Sequence, residues 1–121
     1  MARVLLAEDD AAMLDMVKRA LVADGHTVVT AQDGQEALDT ASASGAAFDV
    51  MLTDIQMPSL DGLSLATKLV ALMPKLRIVL MSAYADQLVI PDTVKPHVAM
   101  VLSKPLALDK VRAAVRNAAL A

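Results

Sequence analysis

Short apolar runs of strand length alternate along this chain with segments whose apolar residues recur at helical spacing. The strand-like runs are Arg3 to Glu8, Thr27 to Ala31, Asp49 to Asp54, Arg77 to Ser82 and Val98 to Ser103. All but Thr27 to Ala31 are nearly unbroken Val, Leu, Ile, Met or Ala, the pattern of strands covered on both faces. The more polar Thr27 to Ala31 suits a sheet edge. Between the strands the period changes. From Ala11 to Ala23 the residues Met13, Val17, Ala20 and Leu21 repeat at i, i+4, i+7 and i+8, which predicts a helix with one buried stripe. Asp10 is placed to cap its start, and Gly25 lies just past its end. Gln35 to Ala43 and Leu63 to Leu72 predict two more helices, the latter stopped by Pro74, and a last helix runs from Leu108 through Val111, Val115 and Ala118.

The order βαβαβαβ-β-α predicts an α/β fold, a doubly wound parallel sheet with helices on both faces. Ala85 to His97 is the exception, because Pro91 and Pro96 interrupt what would be a crossover helix between the fourth and fifth strands. Parallel neighbours still require a crossover, so this stretch is expected to pass over the sheet partly as loop.

A chain of 121 residues is the size of one domain, and neither a repeat nor a low-complexity linker divides it, so one domain over residues 1–121 is expected. The 56% hydrophobic content contains no uninterrupted apolar stretch long enough to span a bilayer. Met1-Ala2-Arg3 runs straight into Val4 to Ala7 and then into acids, which leaves no room for a signal-peptide pattern, and a cytoplasmic protein is expected. Without cysteine there is no disulfide, thiol nucleophile or Cys-based zinc site. His26 and His97 lack metal-motif spacing and are expected at the surface. The net charge of -3, with Lys and Arg scattered, argues against nucleic acid as a partner. Phe48 and Tyr84 are the sole aromatics, which leaves little to stack on bases.

Polar residues interrupt the apolar strands at their C-terminal ends: Glu8 and Asp9 after the first, Asp54 at the third, Ser82 at the fourth, Lys104 after the fifth. In open parallel sheets ligands sit outside those ends at the switch point, which for order 2-1-3-4-5 lies between strands one and three. Adjacent strands are about 4.8 Å apart, so Asp9 and Asp54 would oppose each other's ionisation unless a cation offset them. A hard divalent ion suits the all-oxygen set, magnesium first and manganese as the alternative. Asp9 and Asp54 are read as direct ligands, the Gln56 backbone carbonyl as a third, and Glu8 as acting through water. A carboxylate can serve as nucleophile towards phosphorus, with metal and cations neutralising the phosphoryl oxygens. Lys104 supplies the cation and Ser82 a hydroxyl donor. Each residue also has an ordinary reading: Asp9 or Asp10 as helix cap, Glu8 as a solvated strand end, Asp61-Gly62 as a turn.

Glu8-Asp9-Asp10, Asp54-Ile55-Gln56-Met57-Pro58, Asp61-Gly62, Ser82-Ala83 and Lys104-Pro105 resemble, at these spacings, the signature set of bacterial response-regulator receiver domains. The resemblance covers essentially the whole chain and implies the flavodoxin-like (CheY-like) fold with five strands. It implies Asp54 as phosphoacceptor, Glu8 and Asp9 as the acidic pair, Ser82 as switch hydroxyl, Lys104 as the phosphate-contacting lysine, and a cis bond between Lys104 and Pro105. It further implies a histidine kinase or histidine phosphotransferase as donor and no enzymatic turnover of its own. Two positions depart from the pattern. Val101 stands where many receivers carry a switch Tyr or Phe, so Tyr84 is either the reporter or a loop aromatic. The proline-broken crossover alters a face that many receivers use for docking. The Ser82-Ala83-Tyr84 and Val101 to Pro105 runs are similar to stand-alone receivers of the CpdR type, which deliver substrates to the Clp protease, and the run Asn117 to Ala121 suits a protease-recognised tail or a frayed helix end.

The competing readings are a receiver-fold scaffold that binds a protein partner without phosphorylation and a magnesium-dependent phosphatase with an aspartate nucleophile. The second places its nucleophile after the first strand with another Asp two residues on; here the corresponding residue after Asp54 is Gln56, on the third strand.

Overall fold

The computed structural model describes residues 2–43 and 47–120. Met1 of the N-terminal run and Ala121 of the proposed tail lie outside the described residues. Five parallel strands, β1 (Arg3–Ala7), β2 (Thr27–Ala31), β3 (Val50–Asp54), β4 (Arg77–Ser82) and β5 (Val98–Ser103), stand in the order β2-β1-β3-β4-β5. Four helices connect or follow them: α1 (Ala11–Ala23), α2 (Gly34–Ala43), α3 (Gly62–Leu72) and α4 (Leu108–Leu120). This is the predicted doubly wound sheet, with the switch point between β1 and β3.

Successive strand side chains point to opposite faces, and the core divides accordingly. Val4, Leu6, Val50, Leu52, Val79 and Met81 meet α1 and α4 on one face. Leu5, Ala7, Met51, Ile78 and Leu80 meet α2 and α3 on the other. β3 is buried at every residue because it is central to the sheet and covered on both sides. Asp10 accepts hydrogen bonds from the Ala12 and Met13 backbone N–H groups and caps α1, while Gly25, at φ 91°, takes the left-handed turn that ends it.

Three expectations need correction. The buried stripe of α1 is Leu14, Val17 and Leu21; Met13 and Ala20 are half-buried, since the helix is rotated slightly towards Leu14. His26 is buried, and its Nδ1 accepts a hydrogen bond from the Ala2 N–H at 3.2 Å, which offsets the desolvation of the ring. β5 is not covered on both faces: it forms the second edge, with Ala99, Met100 and Ser103 exposed.

On the crossover face of β5, Val98 and Val101 are half-buried beside Leu88, Ile90 and Val94, while Met100, paired with Val79, is exposed on the α4 side at the sheet edge. Residues 83–97 contain two single turns of 3-10 helix, Ala85–Gln87 and Lys95–His97, in place of an α-helix. Val94 is the one fully buried anchor of this crossover among the described residues, with Leu88 and Ile90 packed beside it. His97 is half-buried, its Nδ1 3.0 Å from the Leu76 carbonyl, so it too lies partly inside. Among the described residues no helix is long and apolar enough to cross a membrane.

Candidate functional site

Register brings the strand ends together. Ala7 pairs with Thr53, Asp54 with Met81, and Ser82 with Ser103, so the residues just beyond β1, β3, β4 and β5 crowd one rim of the sheet. Backbone bonds extend the ladders past the strands: Glu8 N–H to Ala31 O, Ile55 N–H to Met81 O, and Lys104 N–H to Ser82 O. The peptide bond between Lys104 and Pro105 is cis, as the resemblance implied.

The rim holds Glu8, Asp9 and Asp54, which each offer a carboxylate oxygen within 4.8 Å of the others. Glu8 and Asp54 are buried and Asp9 is exposed at the mouth. Lys104 reaches in from beyond β5, its Nζ 2.8 Å from Asp54 Oδ2 and 3.0 Å from Glu8 Oε1. The other Glu8 oxygen accepts the Asp10 N–H at 3.1 Å, and Asp54 Oδ1 accepts a long hydrogen bond from the Gln56 N–H at 3.4 Å. Three carboxylates thus face one ammonium, an excess of negative charge of the kind that an oxygen-loving divalent cation neutralises.

Burial and the like charge of Asp54 push the Glu8 carboxyl above the usual carboxylate range, and the Asp10 N–H and the Lys104 ammonium only partly offset this. Burial pulls the Lys104 ammonium down, but its hydrogen bonds to Asp54 and Glu8 outweigh that and hold it above the usual lysine range. Lys104 therefore carries its charge throughout the neutral range and locks the two buried acids together.

The remaining residues singled out in the sequence surround this triangle. Ser82 is buried, and its Oγ accepts the Tyr84 N–H at 2.9 Å, so the hydroxyl is tied to the first turn of the loop after β4. Tyr84 is 58% exposed. Gln56 is exposed on the loop between β3 and α3.

Two glycines that shape the same rim escaped the sequence reading as site residues. Gly62, given there as a turn and as part of the receiver-like motif set but with no role, begins α3 directly under Asp54: a Cβ would overlap the Asp54 carbonyl oxygen and lie 3.0 Å from its carbon. Gly34 begins α2, where a Cβ would overlap the Leu60 carbonyl oxygen and lie 2.7 Å from its carbon. The Gly34 approach has no local signal because Leu60 is distant in sequence, while Gly62 closes back on Asp54 at the other end of its own connection.

Comparison with known proteins agrees with this geometry. The receiver domain of response regulators, as a family, matches residues 4–116. The response regulator receiver protein CpdR of Brucella abortus is 37% identical over 108 residues, covering 89% of this chain and 88% of that protein. The DNA-binding transcriptional regulator NtrC of Salmonella typhimurium is 31% identical over 115 residues, which covers 95% of this chain but only 24% of NtrC. Against the former the chain spans nearly the whole relative, against the latter about a quarter. The solved receiver domain of NarL from Mycobacterium tuberculosis superposes with a TM-score of 0.81 at 28% identity, over 98% of this chain and 96% of that one. The matched fold, the acidic rim and its bridging lysine together show that the chain belongs to the receiver domain family of two-component response regulators.

Proposed function

We propose that this receiver accepts a phosphoryl group on Asp54 from the phosphohistidine of a histidine kinase or phosphotransferase, and that the modified surface changes which protein it binds. The observation that carries the reading is the bridge of Lys104 between Asp54 and Glu8, with Asp9 beside them. A carboxylate oxygen of Asp54 attacks phosphorus, the phosphorus–nitrogen bond breaks, and the imidazole leaves to take a proton from solvent. Lys104 stays beside the new acyl phosphate and stabilises its oxygens.

Magnesium, or manganese as the other hard ion, would be held by the Asp9 and Asp54 carboxylates and the Gln56 backbone carbonyl, with Glu8 acting through water. When bound it supplies neutralising charge to the phosphoryl oxygens. The Ser82 Oγ already accepts from Tyr84, which leaves its hydroxyl proton to donate to a phosphoryl oxygen. Movement of Ser82 in that direction pulls on the Tyr84 backbone and transmits the event to a crossover anchored chiefly by Val94. The added charge of about -1.5 to -2 is enough to rearrange so lightly held a loop.

The likeness to CpdR supports a cytoplasmic single-domain regulator whose output is a protein contact, with the Clp protease machinery as the downstream partner to test. Intact mass after incubation with acetyl phosphate and magnesium tests the acceptor. Wild type is expected to gain one phosphoryl group and Asp54→Asn none; no gain in either would leave the scaffold reading standing.

A further inference from the structure

We propose that Gly34, at the start of α2, is a positioning residue for the acceptor site: by letting α2 press against the Leu60 carbonyl, it holds the loop between β3 and α3 in the shape that presents Gln56. The inference rests on the reading of Asp54 and Gln56 given above.

The loop has two ends and a tip, and each is held differently. At its start, the Ile55 N–H bonds to Met81 O. At its finish, Asp61 caps α3 through the Ser64 N–H at 2.8 Å, and the Gly62 N–H bonds back to Ile55 O at 2.8 Å. Between these clamps the Leu60 N–H donates to the Pro58 carbonyl at 2.8 Å, closing a turn over Ser59, whose φ is 70°. That is a γ-turn of the strained, positive-φ kind, which a non-glycine residue keeps only when its surroundings enforce it. Gln56 is tied to Asp54 by a hydrogen bond of only 3.4 Å. Its position therefore depends on the frame of the loop.

Gly34 supplies that enforcement. The first turn of α2 is itself fixed by reciprocal caps, with Asp33 accepting the Glu36 N–H at 2.7 Å and Glu36 accepting the Gln32 N–H at 3.1 Å. These bonds keep the turn intact, and the segment is tied to the rest of the fold on either side: the Ala31 carbonyl accepts the Glu8 N–H at 3.0 Å, and Ala37 is fully buried, so retreat of the helix start would pull on the sheet and open the core. The helix start lies so close to Leu60 that any Cβ at position 34 would overlap the carbonyl oxygen and stand 2.8 Å from the Leu60 Cβ. Alanine is the better helix former, so glycine in this first turn weakens the helix and is accounted for by the close approach. Because the obstructing atom is backbone it cannot rotate aside, and with α2 tied to β1 and the core, relief is directed to Leu60, and with it to the strained turn and Gln56.

The test uses the full chain as wild type, Gly34→Ala, Ser59→Gly and the double variant. Magnesium affinity is measured by calorimetry, and the Gln56 and Met57 amide resonances are recorded without metal. Gly34→Ala is expected to shift those amides and weaken magnesium binding by about tenfold, the low end for groups that support metal ligands. Ser59→Gly alone should keep near wild-type affinity, since the turn is still held from behind. Should Gly34→Ala fail to fold, glycine at 59 gives the turn room to yield, and the double variant is expected to fold but to bind magnesium weakly. Magnesium affinity within about twofold of wild type in any folded variant carrying Gly34→Ala would overturn the proposal. So would failure of both variants to fold, which would assign Gly34 to the fold as a whole. If wild type itself bound no magnesium, the assignment of the metal ligands would fall, while the metal-free amide shifts would still decide whether Gly34 positions the loop.

Discussion

Lys104→Met removes the cation that bridges the acidic rim while keeping a side chain of similar length. In the metal-free protein it leaves Glu8, fully buried, and Asp54, 5% exposed, facing each other without the ammonium that now lies 3.0 and 2.8 Å away. Removing one partner of a fully buried ion pair costs about 3–5 kcal/mol. The Lys104 side chain keeps 22% of its exposure, so water screens part of the interaction, and a loss of about 2 kcal/mol is expected. For a domain of this size that corresponds to a fall in Tm of about 6–10 °C.

The pH dependence has a definite sign. The folded Glu8 carboxyl titrates above its ordinary value of 4.5, so its contribution to stability is present below that value and is lost as pH rises through the folded pKa. Loss of Lys104 removes one of the influences that hold Glu8 down, so the variant suffers most at neutral pH and recovers as acid protonates Glu8. The folded Lys104 ammonium titrates above 10.5, so the wild-type advantage is present below that pH and disappears as pH rises through the folded value. Thermal melts of both proteins in a chelator, across this pH range, read the difference directly. A variant that melts with wild type at neutral pH, or whose deficit grows in acid, would refute the reasoning.

Other expectations follow from single contacts. Gly62→Ala should destabilise the protein by about 1–3 kcal/mol in denaturant titrations, despite the helix-propensity gain, because its Cβ overlaps the Asp54 carbonyl; a gain in stability would show that α3 has room to shift. His26→Leu should lose about 1–3 kcal/mol, since the buried Ala2 N–H is left without its acceptor, and amide exchange at Leu5 and Leu6 should show whether the loss stays at the start of β1. Asp54→Asn should fold as wild type, and removal of one of three clustered carboxylates should weaken magnesium binding in calorimetry; unchanged affinity would remove Asp54 from the ligand set.

The strands, the helices and the switch point were legible in sequence because burial imposes its period directly on the residues: β3 and β4 read as apolar runs because they are covered on both faces, and α4 as a stripe because one face is. The chemistry was legible for a related reason. A polar residue that interrupts an apolar run at a strand end stands out locally, and Glu8, Asp9, Asp54, Ser82 and Lys104 all do. What the tertiary structure alone decided are relations between distant segments. The run Val98 to Ser103 is as apolar as a central strand, yet β5 is the last strand of the sheet, and Ala99, Met100 and Ser103 are exposed at that edge while Leu102 is buried. His26 is polar and was expected outside, yet the Ala2 N–H, 24 residues away, makes its burial tolerable. Gly34 carries no motif of its own, and only the approach of α2 to Leu60 shows why no larger residue fits there. Local pattern records how much surface a residue buries; which atom it meets depends on how the chain closes on itself.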